Sequence, residues 1–177
     1  ELFGSQVGSG HYLSGVLLNN QTATSLYYPH IASDSTWWTG LVAYNPNSTS
    51  ADLTVTPYSS QGTAFASIPV TLAAGGKYIG TAAQLNFPLG TDWFKVDSTL
   101  PVSGFELFGT RDGKQLAGYN TVRINTPQGA FAKLDTEGWT GIAFVNSSNA
   151  TASVTLTAKN DSGNTIATSP LSLPPYS

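Results

Sequence analysis

A four-residue signature returns in this chain at a fixed distance, and that return constrains its fold more than any other feature. Trp38-Thr39-Gly40-Leu41 recurs as Trp139-Thr140-Gly141-Ile142, a step of 139 − 38 = 101 residues. The same step carries Asn45 to Asn146, Ala51 to Ala152, Thr54 to Thr155, Thr56 to Thr157, Gly62 to Gly163, Pro69 to Pro170 and Leu72 to Leu173, with no gap. Two Thr-rich strands alike by chance would not keep Trp, Gly, Pro and Asn in phase. Self-similarity of this kind marks a structural unit used more than once. A second match sets Glu1-Leu2-Phe3-Gly4 against Glu106-Leu107-Phe108-Gly109, and Leu13-Ser14-Gly15 against Leu116-Ala117-Gly118. The step drifts where loops differ, which is where insertions are tolerated.

The phase of the repetition divides the chain. Residues 23–122 form one complete unit, residues 1–22 match its closing hairpin, and residues 123–177 match its first half. The counterpart of residues 78–105 is missing from the second copy. A half-unit alone would leave an apolar face and open strand edges in water, and both are costly. The opening residues are therefore expected to complete it. Leu2, Phe3, Val16 and Leu18 would then pair with strands between Gly141 and Thr157, in the same chain or in a neighbour by strand donation and head-to-tail assembly.

Local patterning is that of strands. Residues 52–57 read D-L-T-V-T-P and residues 153–158 read S-V-T-L-T-A, both alternating and rich in β-branched side chains. Residues 41–44 and 142–145 are continuous apolar runs, as central strands require. Turn clusters punctuate the chain, and Asp112-Gly113 is a hairpin signal. The one helical candidate is short, 82–87. Short strands with frequent turns predict an all-β chain of two related β-sandwich units of immunoglobulin-like design, with a single elongated sheet system as the alternative. The second unit is incomplete or is completed by the N-terminal hairpin.

Composition narrows the class. Of 177 residues, 40% are hydrophobic and 11% aromatic, enough for a true core, while only 10% are charged. Polarity comes from 20 Ser, 22 Thr and 11 Asn, a surface typical of extracellular β proteins. The seven Lys and Arg are scattered and the net charge is −3, so nucleic acid is not an expected partner. No apolar run approaches the ~20 residues of a membrane helix, and no membrane insertion is expected. Without cysteine there are no disulfides, thiolate chemistry or Cys-based zinc sites. Glu1 is not a translational start, so the chain reads as a processed product or an excised piece.

The order Tyr28-Pro29-His30-Ile31-Ala32, then 38–46 (W-T-G-L-V-A-Y-N-P), 51–56 (A-D-L-T-V-T) and 102–109 (V-S-G-F-E-L-F-G) resembles tandem β-sandwich repeats of bacterial secreted and surface proteins. The resemblance implies an extracellular location and a scaffold of unassigned activity. The second copy departs from it where Phe131-Ala132-Lys133-Leu134 replaces Pro-His-Ile-Ala.

Catalytic machinery is not legible. His11 and His30 have no metal-spaced partners, and no cofactor or metal is expected. Gly-x-Ser-x-Gly does not occur. Glu1 and Glu106 are repeat equivalents, which reads as a structural glutamate, solvated or paired on an edge strand. Trp37 and Trp93 have no counterparts in the repeat. With Tyr27 and Tyr28 they are the candidate aromatic platform, a surface for stacking sugars or packing against protein. The functional expectation is a non-catalytic extracellular spacer, structural or adhesion module. The alternative is a carbohydrate-binding module that uses this platform to hold glycans.

Overall fold

The computed structural model describes residues 2–7, 10–16, 21–123, 126–131, 134 and 140–177, with the backbone alone for 2–7 and 10–14. Among them are eleven strands and no helix. The strands are β1 (Leu2–Val7), β2 (Gly10–Gly15), β3 (Ala23–Tyr28), β4 (Trp37–Tyr44), β5 (Ala51–Tyr58) and β6 (Ile68–Leu72). They continue as β7 (Lys77–Thr81), β8 (Trp93–Thr110), β9 (Leu116–Asn120), β10 (Ala152–Lys159) and β11 (Thr165–Leu173). Every pairing is antiparallel. Strands β3 to β9 form one curled seven-stranded sheet, and β1–β2 and β10–β11 form separate hairpins.

The curl comes from β8, whose 18 residues are far more than an ordinary strand of five or six. Its first half pairs with β5 on one side and β3 on the other, from Tyr58↔Trp93 to Leu53↔Ser98 and from Tyr28↔Phe94 to Ala23↔Val102. Its second half lies between β4 and β9. Pro101 falls between the end of the β5 ladder at Ser98 and the start of the β4 ladder at Ser103. Its missing N–H therefore breaks neither ladder. Val122, just past β9, exchanges backbone hydrogen bonds of 2.8 and 3.0 Å with Tyr27, which ties the two wings together.

The wings share a core. Leu26, Tyr28, Leu53, Val55, Phe94 and Val96 from one side meet Leu41 and Ala43 from the other. In β5 the alternation is strict: Ala51, Leu53 and Val55 are buried, while Asp52 and Thr54 face water. Each such Leu, Val or Phe contributes roughly 1.5–3 kcal/mol by leaving water. The Asp112-Gly113 hairpin joins β8 to β9, with Gly113 at φ 72° and its N–H donating to Thr110 O at 3.0 Å.

The structure departs from the sequence reading at three places within the chain. Residues 82–87 form successive turns rather than a helix; the Phe87 N–H reaches back five residues to Ala82 O, and Asn86 sits at φ 53°. Residues 141–147 adopt no strand despite their apolar run. A central strand needs two neighbours; β4 has β7 and β8, and this segment has neither among the described residues. Within the one chain, and among the described residues, the N-terminal hairpin does not pair with strands of the second half. β1 pairs with β2, and β2 runs beside β9, where buried Val16 packs at Gly118. Leu18 and Trp139 lie outside the described residues.

The β10–β11 hairpin copies β5–β6 at the step of 101. Ala51↔Leu72 and Leu53↔Val70 become Ala152↔Leu173 and Val154↔Leu171. The corner before each hairpin is copied too. Asn45 Nδ2 donates to Thr49 O, Leu72 O and Ala73 O at 2.8, 3.2 and 3.0 Å. Asn146 Nδ2 donates to Ala150 O, Leu173 O and Pro174 O at 2.8, 3.1 and 2.8 Å.

Candidate functional site

The four aromatic residues of the expected platform do not share a face. Trp93, 3% exposed, lies against Tyr58 with ring centroids 4.2 Å apart and planes 9° from parallel. Its Nε1–H donates to Tyr176 O at 3.0 Å. Tyr28 is fully buried, stacked on Phe94 at 4.2 Å, with its hydroxyl donating to Val42 O at 3.1 Å. Both are core residues and offer no stacking surface. Tyr27 points the other way, as strand alternation demands, and is half-buried with Lys95 Nζ 5.8 Å from its ring centre. Trp37 pairs with Thr110 at the end of β8, whereas Trp93 begins that strand. The length of β8 separates the two tryptophans.

A different group of side chains converges, and residue type alone did not reveal it. Glu106 stands in the middle of the curled sheet, opposite Leu41 on β4 and Tyr119 on β9, and is fully buried. Its duplication suggested an edge-strand glutamate, solvated or paired; it lies instead on an inner strand, out of water, with His30 beside it. His30, in the segment between β3 and β4, brings Nδ1 to 3.9 Å from Glu106 Oε1. Its ring packs on Phe108 at 4.8 Å. Both carboxylate oxygens, His30 Nδ1 and the Tyr119 hydroxyl are buried without a hydrogen bond of ordinary geometry. The sequence held one cue. Val102 and Gly104 face inward, and alternation places Glu106 on the same side.

Electrostatics follow from that burial. Loss of water pushes the Glu106 carboxyl up to about 7, and nearby His30 and Tyr119 partly oppose the rise. Burial, then the Glu106 charge, raises both the Tyr28 and the Tyr119 hydroxyls, so both stay protonated. The cluster can therefore take up or release a proton near neutrality. His30, with its side chain 36% exposed, is its solvent-facing member.

An apolar void of about 10 Å³ lies elsewhere, between Leu41, Leu53, Val55 and Val96, and holds one water at most. Among the described residues no three His, Cys, Asp or Glu side chains gather to hold a metal ion.

No family model matches the chain, and no curated protein matches it. Among solved structures it is similar to the crystal structure of Thermotoga maritima 1070. The TM-score is 0.49 and the identity 12%, over 60% of this chain and 97% of that one.

Proposed function

We propose that the chain is a non-catalytic extracellular module, a spacer, structural or adhesion element of a secreted or cell-surface protein. In this reading it is assembled from β-sandwich units of immunoglobulin-like design in tandem. The observation that carries the reading is the copied corner: Asn146 repeats the side-chain hydrogen bonds of Asn45 at a step of 101 residues. What is kept between copies is scaffold, namely a corner amide, a hairpin register and the glycine turns at Gly62 and Gly163. The polar cluster at Glu106 is not kept in the same way, because Leu134 and its neighbours replace the His30 segment. A sparse charge content and a Ser/Thr-rich surface suit an extracellular scaffold.

The test is location. Antibodies raised against the chain should label intact, unpermeabilised cells of the producing organism, or detect the protein in the medium. Labelling that appears only after permeabilisation overturns the reading.

A further inference from the structure

We infer that the outer face of the wing formed by β3, β8 and β5, from Tyr27 across to Tyr58 and Tyr176, is a binding surface for a neutral polysaccharide. The inference rests on the extracellular reading for where such a ligand is met, and on geometry for the site.

The strand registers put the side chains on one face. Tyr27 and Thr56 flank Lys95 on its two sides, and Ser25 lies opposite Asp97. Alternation turns all five away from the core, because Leu26, Val55 and Val96 hold the inward positions between them. Tyr58, opposite Trp93, closes the same face at one end. With strands ~4.8 Å apart and ~3.4 Å of rise per residue, the Cα atoms of Tyr27 and Tyr58 stand about 12 Å apart. That span suits a chain of sugars better than a single ring.

The chemistry of the face selects its occupant. Asp97 Oδ1 accepts from Ser25 Oγ at 2.6 Å and from Lys95 Nζ at 2.8 Å. The two charges cancel, so the face attracts neither an anion nor a cation by net charge. The Lys95 and Asp97 side chains are 26% and 46% exposed, which leaves a donor and an acceptor open to water. Lys95 Nζ also lies 5.8 Å from the centre of the Tyr27 ring. A protein partner would meet charge where the core of an interface is depleted in it. A neutral polysaccharide matches both halves of the face. Its C–H faces pack on tyrosine rings, and its hydroxyls meet closely spaced donors and acceptors.

Tyr176 carries the argument further. Its backbone is left-handed, φ 57°, and the residue 101 positions earlier is Gly75, at φ 64°. The two corners are otherwise alike: the Gly75 N–H donates to Asn47 O and the Tyr176 N–H to Ser148 O. Glycine adopts this conformation freely, whereas a bulky residue does so under strain. Here the strain sets a third ring 6.3 Å from that of Tyr58, beside the Tyr58–Trp93 stack. Strain of this kind is kept where the side chain is used.

Affinity gel electrophoresis tests the site, with the full chain run through gels that hold dextran, laminarin, mannan, galactan, xylan or the anionic polygalacturonate. Retardation by at least one neutral polysaccharide is expected, and none by polygalacturonate. Tyr27→Ala and Asp97→Ala should each weaken binding at least fivefold. Tyr44→Ala, which removes an exposed tyrosine from β4, should leave it unchanged. Tyr176→Gly restores the residue of the first copy. It should weaken binding at least threefold without lowering the urea midpoint, whereas a purely structural ring would lower the midpoint and leave binding intact. If Tyr27→Ala disturbs the sheet by circular dichroism, Asp97→Ala and Tyr176→Gly decide. No retardation by any neutral polysaccharide, stronger retardation by polygalacturonate, or unchanged binding in these variants overturns the inference. Surface labelling of intact cells is read separately, so a failure of polysaccharide binding and a failure of the extracellular reading are distinguishable.

Discussion

Asn45 and Asn146 hold the same corner twice: each side-chain amide donates to carbonyls 4, 27 and 28 residues ahead. Each Oδ1 also accepts from the N–H of the residue two ahead, Asn47 or Ser148, and from that residue's side chain. Each backbone N–H donates to a carbonyl 31 residues on, Gly76 O at 2.9 Å and Ser177 O at 2.7 Å. One side chain thus ties the approach to a hairpin to that hairpin's far end. Turn carbonyls withdrawn from water need donors, and asparagine supplies donor and acceptor together.

Asn45→Ala removes donors from three carbonyls at a fully buried position. Urea unfolding should show a loss of about 1–3 kcal/mol, the cost of leaving buried acceptors unpaired. Asn146→Ala strips the same bonds where the hairpin behind them is more exposed. It should change global stability less and instead speed amide exchange in 152–173. Equal global losses for both substitutions would show that the two corners are not embedded differently.

Stability should also depend on pH through Glu106. Its folded carboxyl is raised from 4.5 to about 7, so between those values the folded chain binds a proton that the unfolded chain has released. The contribution is most favourable below about pH 4.5, declines as pH rises to about 7, and is level above. The full span is on the order of 3 kcal/mol. His30, Tyr119 and Tyr28 face the carboxyl and set how much of that span appears. Glu106→Gln, which cannot ionise, should flatten this slope in urea titrations between pH 4.5 and 7.5. An unchanged slope would assign it to other groups.

What the sequence disclosed was local, and what it concealed was pairing. The alternation in 52–57 and the Asp112-Gly113 turn depend on neighbouring residues, and both stand in the structure. The phase of Asn45 and Asn146 was legible because equivalent corners repeat equivalent residues. The passage of β8 through two ladders was not, because it depends on partners far away in the chain. The run 142–145 is apolar enough for a central strand but lacks strands to lie between. Trp93 and Tyr28 were read from residue type, which does not say which face of a strand is covered. Glu106 was misread for the reverse reason. A carboxylate is expected in water because burying it is costly, whereas its position in the alternation pointed inward.

Trp93 fastens residues 174–177 to the seven-stranded sheet. Its ring stacks on Tyr58, whose centroid lies 6.3 Å from that of Tyr176, and its indole N–H donates to Tyr176 O. Trp93→Phe keeps an aromatic ring and removes the donor. It should cost about 1 kcal/mol and speed exchange of the Asn146 amide, which is bonded to Ser177 O. Trp93→Ala should cost about 3–5 kcal/mol, as for a large buried aromatic. If Asn146 exchanges at its original rate in Trp93→Phe, the indole bond does not hold residues 174–177.

Tyr28 and Gly104 should prove energetically coupled. A Cβ built on Gly104 would run into the Tyr28 hydroxyl and come within 2.6 Å of Val42 O, the acceptor of the Tyr28 hydrogen bond. Glycine is therefore required here for close approach and not for a left-handed φ, which Gly104 does not adopt. Tyr28→Phe loses one hydrogen bond and leaves the Val42 carbonyl to β-ladder partners, at about 1 kcal/mol. Gly104→Ala overpacks the core and should cost about 1–3 kcal/mol. In the double variant the hydroxyl is gone and half of the clash with it, so the combined loss should fall short of the sum by at least ~0.5 kcal/mol. The remaining approach to Val42 O does not depend on Tyr28, so rescue should be partial. A urea double-mutant cycle reads this directly. Strict additivity would mean that the backbone clash with Val42, and not the tyrosine hydroxyl, is what keeps position 104 a glycine.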